Sequence, residues 1–356
     1  MGLVLTRHDL PNSNYRRQVG IIHAEQSGGG AEAHGAGAGF DPEFDRRAIP
    51  AGARESVWTA ADGHAIRRID WDSPDTNAPR RGSLLFFPGR GDHYEKYLES
   101  LQHWADRGWR VTAADWRGQA GSGRFGTDPR TGHIDDLTLW LDDLAAFWAE
   151  WAADHPGPRV LAGHSMGGHL TLRAVAEGRV DPAALVLIAP MLGFVGRLPN
   201  AVMHPLVRIM ARLGDPRRPA WKGSENPGEK YPWRNALLTH DELRYDDELW
   251  WRQQRPEVAM GSGSWRWVER AYASMRAIEA PGVLERVTIP AIILATPYDR
   301  LVGWKAIERA ARRMTRAQLV RFGPEARHEI LREADPVRTK ALRLIDAFLD
   351  QVVPAP

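Results

Sequence analysis

Apolar and polar positions are distributed along the chain in two ways, as short apolar runs and as longer amphipathic stretches. A short run in which nearly every side chain is apolar is typical of a strand that is buried on both faces. Such runs cover residues 83–87, 109–115, 159–162, 184–189, 291–295 and 318–322. Segments with helical spacing follow most of these runs. This order predicts an α/β fold with a mostly parallel sheet that is covered by helices.

The amphipathic stretches predict where the helices lie. The clearest is 135–154, where apolar residues at spacings of three and four form one stripe that we interpret as core packing against the sheet. The stripe contains Leu137, Trp140, Leu141, Leu144, Phe147, Trp148 and Trp151. Further helices are predicted at 94–107, 304–314 and 336–352. Residues 55–59 and 64–71 are predicted to be two strands of a hairpin, joined at Asp62-Gly63.

Residues 191–285 depart from the alternation of strands and helices. They are rich in Pro, Arg and Trp and contain helical pieces at 201–213, 236–255 and 264–278, but no run of the buried-strand type. We therefore expect a helical lid, or cap, inserted into an α/β core that is formed by residues 46–190 and 286–356. Residues 1–45 include a Gly/Ala-rich tract with almost nothing to bury, and we expect them to be a flexible leader.

Composition narrows the possible functions. Hydrophobic residues make up 43% and charged residues 26% of the chain, which is ordinary for a globular protein. The net charge is only +2, and there is no long basic run, so nucleic acid is not an expected partner. The absence of cysteine excludes disulfides, thiol catalysis and cysteine metal sites. No spacing of residues implies a metal ion or an organic cofactor.

Hydropathy bears on the expected compartment. The longest apolar stretch, 184–195, is too short to span a bilayer, and it contains Pro190. The first residues form no hydrophobic core of a signal peptide. We therefore expect a cytoplasmic protein with no transmembrane segment.

The sequence around Ser165 has the pattern of a nucleophile elbow. Gly163-His164-Ser165-Met166-Gly167 matches G-x-S-x-G, and it lies between a short apolar strand and a helix, as this motif requires. The serine must sit on a sharp turn that directs its hydroxyl out of the sheet, and glycines on either side leave room for that turn. The backbone amide of Met166, at the start of the helix, is positioned to donate to an oxyanion.

A serine nucleophile needs a base and an acid that orients the base, and in this architecture they follow in the order Ser, Asp, His. Asp299 and His328 each lie directly after a predicted strand, so both fall at the edge of the sheet that carries Ser165. Asp335 and Glu329 are rival acids. We expect Asp335 to cap the last helix instead, and we expect the side chain of Glu329, next to His328, to point elsewhere.

A second oxyanion donor is expected in the glycine-rich turn after the strand at 83–87. That turn reads Pro88-Gly89-Arg90-Gly91-Asp92, and the backbone amide of Arg90 is the candidate.

Substrate selection is expected to fall to the lid, where apolar and basic residues lie close together. Arg217 and Arg218 precede Trp221, and basic residues also flank Trp233. We expect these side chains to form an acyl tunnel with a basic rim, which would suit a phosphate head group. The alternative is that the tryptophans only pack the lid onto the sheet and that the cations are solvated.

Taken together, these motifs resemble an α/β-hydrolase of the lysophospholipase and monoacylglycerol-lipase group. The resemblance is carried by 88–93 with Tyr97, 115–119, 163–168, 238–241 with Arg244-Tyr245, Asp299 with Val302, and 327–329. It implies an acyl-enzyme mechanism on lysophospholipids or monoacylglycerols, and it leaves room for transient contact with a membrane surface or micelles. The chain departs from the group at Pro88, where the group has His, and at Ala120, where it has Gly.

Two other functions remain open at this point. The same triad could serve an acyltransferase or a hydrolase of small esters, which acyl transfer to added alcohols would distinguish. The fold could also be a catalytically silent binding module, although the presence of Ser165, Asp299 and His328 in chain order argues against it.

Overall fold

The computed structural model describes residues 21–23, 44–71, 81–196, 198, 200–221 and 230–354. Within these residues one sheet runs in the order β1-β9-β8-β7-β6-β4-β5-β3-β2. Its strands are β1 Ile21–His23, β2 Ala53–Thr59, β3 Ala65–Trp71, β4 Gly82–Phe87, β5 Trp109–Ala114, β6 Arg159–His164, β7 Ala184–Ile188, β8 Ala291–Ala295 and β9 Ala317–Arg321. Strand β3 is antiparallel to β2 and β5, and the other pairs are parallel.

The central strands are buried on both faces, as their apolar runs predict. All residues of β4, β7 and β8 are buried. On one face they pack with α2 Thr138–Asp154, α3 Met166–Ala176 and α8 Trp304–Arg313. On the other face lie α1 Leu98–Asp106, which follows a short 3-10 turn at Tyr94–Tyr97, and α9 Asp335–Val352. The predicted apolar stripe of α2 is buried in the core.

Between β7 and β8 lies a helical segment, residues 191–285, which we call the lid segment. Its helices are α4 Asn200–Arg212, α5 Pro232–Leu238, α6 Glu242–Gln254 and α7 Trp265–Glu279, and its described residues contain no strand of the sheet.

The prediction of one continuous helix at 236–255 is wrong, because two helices, α5 and α6, occupy this part of the lid segment. The carboxylate of Asp241 caps α6 by accepting a hydrogen bond from the backbone N–H of Arg244 at 2.9 Å. Thr239, at the end of α5, adopts extended backbone, and its hydroxyl donates to the carbonyl of Arg332. The local cap of Asp241 and the hydrogen bond of Thr239 to a residue distant in the chain therefore outweigh the helical periodicity.

The expectation of a flexible leader over residues 1–45 is also corrected in part. Ile21–His23 form β1, which pairs with β9 in parallel, and Ile21 packs against the core. Two consecutive isoleucines are enough to occupy the edge of a sheet, although they are too few to be recognised as a strand from the sequence. The Gly/Ala-rich tract itself lies outside the described residues.

Candidate active site

Ser165 lies on a strained turn between β6 and α3. Its backbone has φ 51° and ψ −114°, which L-residues rarely adopt. A Cβ on Gly163 would lie 2.6 Å from the backbone of Gly167, and a Cβ on Gly167 would lie 2.4 Å from the carbonyl oxygen of Phe87. Side chains at these glycines would therefore displace either α3 or β4. The structure has the sharp strand-to-helix turn that the G-x-S-x-G pattern predicts.

Asp299 and His328 lie together at the carboxyl edge of the sheet. Nδ1 of His328 is 2.7 Å from Oδ2 of Asp299, and both side chains are buried. The other carboxylate oxygen of Asp299 accepts hydrogen bonds from the amides of Leu301 and Val302, at 2.7 and 3.0 Å. These contacts fix the direction from which the carboxylate approaches the imidazole ring.

The two groups shift each other's pKa in opposite directions. Burial alone would lower the pKa of His328, but the charge and hydrogen bond of Asp299 outweigh it, and the pKa of His328 lies above its ordinary value. Burial alone would raise the pKa of Asp299, but His328 and the two backbone amides lower it. The pair therefore favours an ionised carboxylate beside an imidazole that readily takes up a proton.

Ser165 and His328 line one cavity of about 460 Å³. Its wall is largely apolar and is built mainly by the lid segment, which contributes Met191, Phe194, Met203, Val207, Trp221, Leu238, Trp265, Trp267, Val268 and Tyr272. Asp299 is not part of the wall, since it lies on the far side of the His328 ring. The cavity thus combines the candidate nucleophile and the candidate base with an apolar surface.

The loop after β4 is held tightly beside Ser165. A Cβ on Gly89 would lie 3.1 Å from the Cβ of Ser165, so glycine permits this approach. The amide of Gly89 donates to Asp92, and the amide of Gly91 donates to Gln119 at 2.7 Å. Both neighbours of Arg90 are therefore fixed by side chains. The backbone amides of Arg90 and Met166 remain the candidate oxyanion donors.

The side chain of Arg90 has a second connection that the sequence analysis missed. Its guanidinium donates to the carbonyl of Gly261 at 2.6 Å. It also lies over the rings of Trp221 and Trp267, at 5.2 and 4.9 Å from their centroids. Arg90 thus connects the candidate oxyanion loop to the lid segment, and no local sequence pattern indicates these distant partners.

Three of the four lid residues predicted to bind substrate do not line the cavity. Arg217 is exposed and pairs with Asp215, and Arg218 donates to backbone carbonyls on the lid surface. Trp233 is 52% exposed and contacts Tyr231. Arg217 and Arg218 are therefore not part of the cavity wall, although the guanidinium of Arg218 lies 5.8 Å from the ring centroid of Trp265, which is part of it. The lining of the cavity does not support the predicted basic rim, which stays a prediction. Of the four, only Trp221 forms part of the wall.

The cations that do line the cavity are Arg90 and Arg234. Two carboxylates, Asp92 and Glu329, line it as well, and both are paired with the buried Lys96. Arg234 lies on α5, and its Nη2 is 2.8 Å from Oε1 of Glu248 on α6. Sequence reasoning placed Arg234 only beside Trp233. The helical register decides which of the two neighbours faces inward, and here it is the arginine.

A buried group of charges surrounds the loops of the site. Nζ of Lys96 is 2.6 Å from Glu329 and 3.0 Å from Glu248, and it also pairs with Asp92. Arg332 pairs with Glu329 and Glu248. The carboxylate of Glu329 therefore binds these cations rather than His328, in agreement with the expectation that it points elsewhere. Long-range pairs of this kind leave no periodic signal in a sequence.

Asp92 and His164 connect this charge group to the nucleophile turn. Oδ2 of Asp92 accepts from the hydroxyl of Tyr97 at 2.8 Å and lies 3.1 Å from Nδ1 of His164. Nε2 of His164 is 3.2 Å from the carbonyl oxygen of His328. The residue before the serine thus contacts the loop that carries the histidine. Asp92, Tyr97 and His164 all belong to the motifs quoted above, which could have indicated their importance.

The prediction that Asp335 caps the last helix, α9, is wrong. The residue before α9 is Ala334, and Asp335 is the first residue of the helix. Its carboxylate accepts from Nη2 of Arg244 at 2.6 Å and so joins α9 to the lid segment. Asp335 lies apart from His328, because the Arg244 ion pair directs it toward α6.

Comparison with known proteins identifies relatives over most of the chain. A family model described as serine aminopeptidase, S33, matches residues 78–335. Lysophospholipase L2 of Escherichia coli (strain K12) is 31% identical over 288 residues, which cover 75% of this chain and 80% of that protein. Monoacylglycerol lipase of Mycolicibacterium smegmatis is 32% identical over 126 residues, which cover 35% of this chain and 42% of that protein.

A solved structure supports the same assignment of the fold. A soluble variant of monoglyceride lipase from Saccharomyces cerevisiae, in complex with a substrate analog, is similar with a TM-score of 0.68 at 18% sequence identity. The match covers 87% of this chain and 98% of that one. The chain therefore has the α/β-hydrolase fold. In the part of the chain that the structure describes, no helix has the length and apolar character needed to cross a membrane.

Proposed function

We propose that this chain, a serine hydrolase that belongs to the serine aminopeptidase S33 family, cleaves the carboxylic ester bond of monoacyl lipids. The observation that carries the proposal is that Ser165 and His328 line one largely apolar cavity of about 460 Å³. The names of the relatives, lysophospholipase L2 and monoacylglycerol lipase, support the same class of substrate.

In the proposed mechanism, Ser165 attacks the ester carbonyl while His328 takes up the hydroxyl proton. Asp299 orients the imidazole ring and stabilises its positive charge. The amides of Arg90 and Met166 donate to the oxyanion. His328 then returns the proton to the departing alcohol, which leaves an acyl group on Ser165. Water, activated by His328, hydrolyses this acyl-enzyme and restores the serine.

The lid segment acts in this proposal as the binding wall for the acyl chain. Each methylene that leaves water for an apolar wall contributes about 0.8 kcal/mol. Side chains such as Trp221, Met203 and Val207 provide that wall. Catalytic efficiency should therefore rise with acyl length until the chain fills the cavity.

Lysophospholipids are the proposed preferred substrates, because Arg90 and Arg234 both line the cavity. A guanidinium can donate two parallel hydrogen bonds to a phosphate. A neutral monoacylglycerol lacks an anion that could use them. Because such substrates reside in bilayers or micelles, the proposal includes transient contact with a lipid surface.

Labelling with a fluorophosphonate tests the nucleophile. Ser165→Ala should lose the label and at least ~10³-fold of the esterase activity, by analogy with other triads. Ser56→Ala is a matched control, because Ser56 lies on β2 and does not line the cavity. Labelling of another serine in the Ser165→Ala protein would refute the assignment.

A substrate panel tests the lipid class. Hydrolysis of lysophospholipids and monoacylglycerols of increasing acyl length should show kcat/KM rising with length for both. Arg234→Gln should lower kcat/KM by roughly tenfold or more for the phosphate substrate only, whereas Arg234→Lys, which keeps the charge, should lower it less. Equal losses on both substrates would leave a lipid esterase with no recognition of the head group.

A further inference from the structure

Helix α4 of the lid segment turns apolar side chains toward solvent. Val202, Leu206 and Ile209 of this helix, and Leu213 directly after it, are between 47% and 58% exposed. Their spacing of four, three and four residues places them on one side of the helix. Val207 and Ala211 are buried on the other side. An ordinary surface helix presents polar residues to water. Helix α4 therefore has a second apolar face, in addition to the one that packs against the protein.

The stripe belongs to a contiguous surface, which we call the α4 patch. It consists of Val202, Leu206, Ile209, Met210 and Leu213, all of them exposed. Single apolar residues at a surface need no explanation, but a contiguous group of this kind marks a site of interaction.

An arginine-rich groove lies beside the α4 patch. Arg208 and Arg212 of α4 and Arg266 and Arg270 of α7 line a cavity of about 230 Å³, together with Ala211 and Glu269. Glu269 pairs with Arg270 and Arg266 and is 3.0 Å from His204. Arg270 also lies 3.8 Å from Asp136. The lining of the groove thus has four guanidinium groups and one carboxylate, and its charge suits an anionic partner.

Helix α4 also forms part of the active-site cavity. Met203 and Val207 line that cavity from the same helix that carries the α4 patch. A lipid surface held against the patch would therefore lie within one helix diameter, about 10 Å, of the space proposed for the acyl chain.

We propose that the α4 patch and the arginine groove together bind the surface of an anionic lipid bilayer. A helix that lies in a membrane interface needs an apolar face for the acyl region and cations for the phosphate groups, and α4 with its neighbour α7 supplies both. A second copy of this chain fits less well, since a twofold contact would bring the arginine grooves close to each other. This inference deepens the lipid contact of the proposed function but does not depend on ester hydrolysis.

Vesicle flotation of the full-length Ser165→Ala protein tests the inference without consuming lipid. Vesicles of phosphatidylcholine alone are compared with equimolar phosphatidylcholine and phosphatidylglycerol. We expect binding to the anionic vesicles to be about tenfold stronger or more and to weaken as salt is raised. Leu206→Ser with Ile209→Ser should weaken binding to both vesicles, whereas Arg208→Gln with Arg212→Gln should weaken it mainly for the anionic vesicles.

Two matched controls separate this surface from general effects. Leu243→Ser removes an apolar side chain that is 67% exposed on α6. Arg309→Gln with Arg312→Gln removes two exposed arginines from α8. Both controls should bind vesicles as the parent protein does, and all variants should keep the parent melting temperature because the substituted side chains are exposed.

The inference would be overturned if the patch and groove variants bound vesicles as strongly as the parent protein does. It would also be overturned if the parent protein bound both kinds of vesicle equally and salt did not weaken the binding. A dimer seen by light scattering and abolished by Leu206→Ser with Ile209→Ser would identify a second copy as the partner and would also overturn it. The proposed function can fail separately. If the Ser165→Ala protein binds the vesicles but the protein with Ser165 cleaves no lipid ester, this inference stands and the proposed function is rejected.

Discussion

Ser165 holds a backbone conformation that its surroundings must maintain. Residues in such sparsely populated regions cost on the order of 1–3 kcal/mol each. The amide of Ser165 donates to the carbonyl of Ile188 at 2.9 Å, and its own carbonyl accepts from the amide of Met191 at 2.9 Å. Both partners lie at the end of β7 or just after it. The proposed nucleophile is thus fixed by the neighbouring strand as well as by its own turn.

Gly167→Ala tests how tightly this turn is enclosed. The added methyl would lie 2.4 Å from the carbonyl oxygens of Phe87 and Pro88, so either α3 or the end of β4 must move. We expect a loss of roughly 1–3 kcal/mol in the free energy of unfolding, together with a lower kcat. Urea unfolding measures the first quantity. Gly52→Ala, where no atom lies within 4 Å of the added methyl, should leave both unchanged.

Asp299→Asn should lower kcat by on the order of 10²–10⁴, because the imidazole loses the orientation and the charge support that Asp299 provides. It should also move the pH profile. The base must be unprotonated, so kcat/KM falls as pH drops through the pKa of His328, which Asp299 raises above its ordinary value. Without the carboxylate, burial lowers that pKa, and the acid limb of the pH profile of kcat/KM should shift to lower pH.

The control for that prediction is Asp335→Asn. Asp335 pairs with Arg244 and is partly exposed, so the change should cost about 1 kcal/mol of stability or less and leave the pH profile in place. If the acid limb shifted with Asp335→Asn instead, the orienting role would belong to that residue.

Among the elements, α6 is attached to the core by buried charges as well as by the apolar packing of Trp251. Glu248 on this helix is buried and pairs with Lys96, Arg234, Arg252 and Arg332. Burial alone would raise its pKa, but these cations lower it well below its ordinary value. Glu248 is therefore ionised, and it joins two lid helices to the loops that carry Asp92 and His328.

Glu248→Gln should leave this group with an excess of buried positive charge. Breaking a buried ion pair by removing one partner costs about 3–5 kcal/mol, and a loss of that size in the free energy of unfolding is expected here. Glu242→Gln on the same helix removes an exposed carboxylate and should change stability by less than about 0.5 kcal/mol. Equal effects of the two variants in urea unfolding would contradict the role assigned to the buried group.

The core elements were predictable because one property defines each of them. The buried strands β4, β7 and β8 are continuous apolar runs, and α2 carries one long stripe. The elements that were mispredicted depend on something outside their own pattern. Helices α5 and α6 are separated by hydrogen bonds of Thr239 and Asp241, and β1 exists because β9 offers it a partner.

At the scale of the whole molecule, the parallel sheet explains why the candidate site could be assembled from the sequence. Ser165, Asp299 and His328 each follow a strand, and the carboxyl ends of parallel strands meet at one edge. The lining of the cavity could not be assembled in the same way. The positions of Arg90 and Arg234 depend on how the lid segment lies over the sheet, which no spacing within the segment encodes.

The pairing of β1 with β9 has a consequence for solubility. Without Ile21–His23, the outer hydrogen-bonding groups of β9 would be an open edge, which can recruit a strand from another molecule. A shortened protein that starts at Phe44 should therefore self-associate at high concentration, as measured by static light scattering, while each molecule keeps its esterase activity. Full-length protein is the control, and a shortened chain that stayed monodisperse would show that β9 needs no cover. If the shortened chain does self-associate, the three residues Ile21–His23 protect the sheet from aggregation by covering β9.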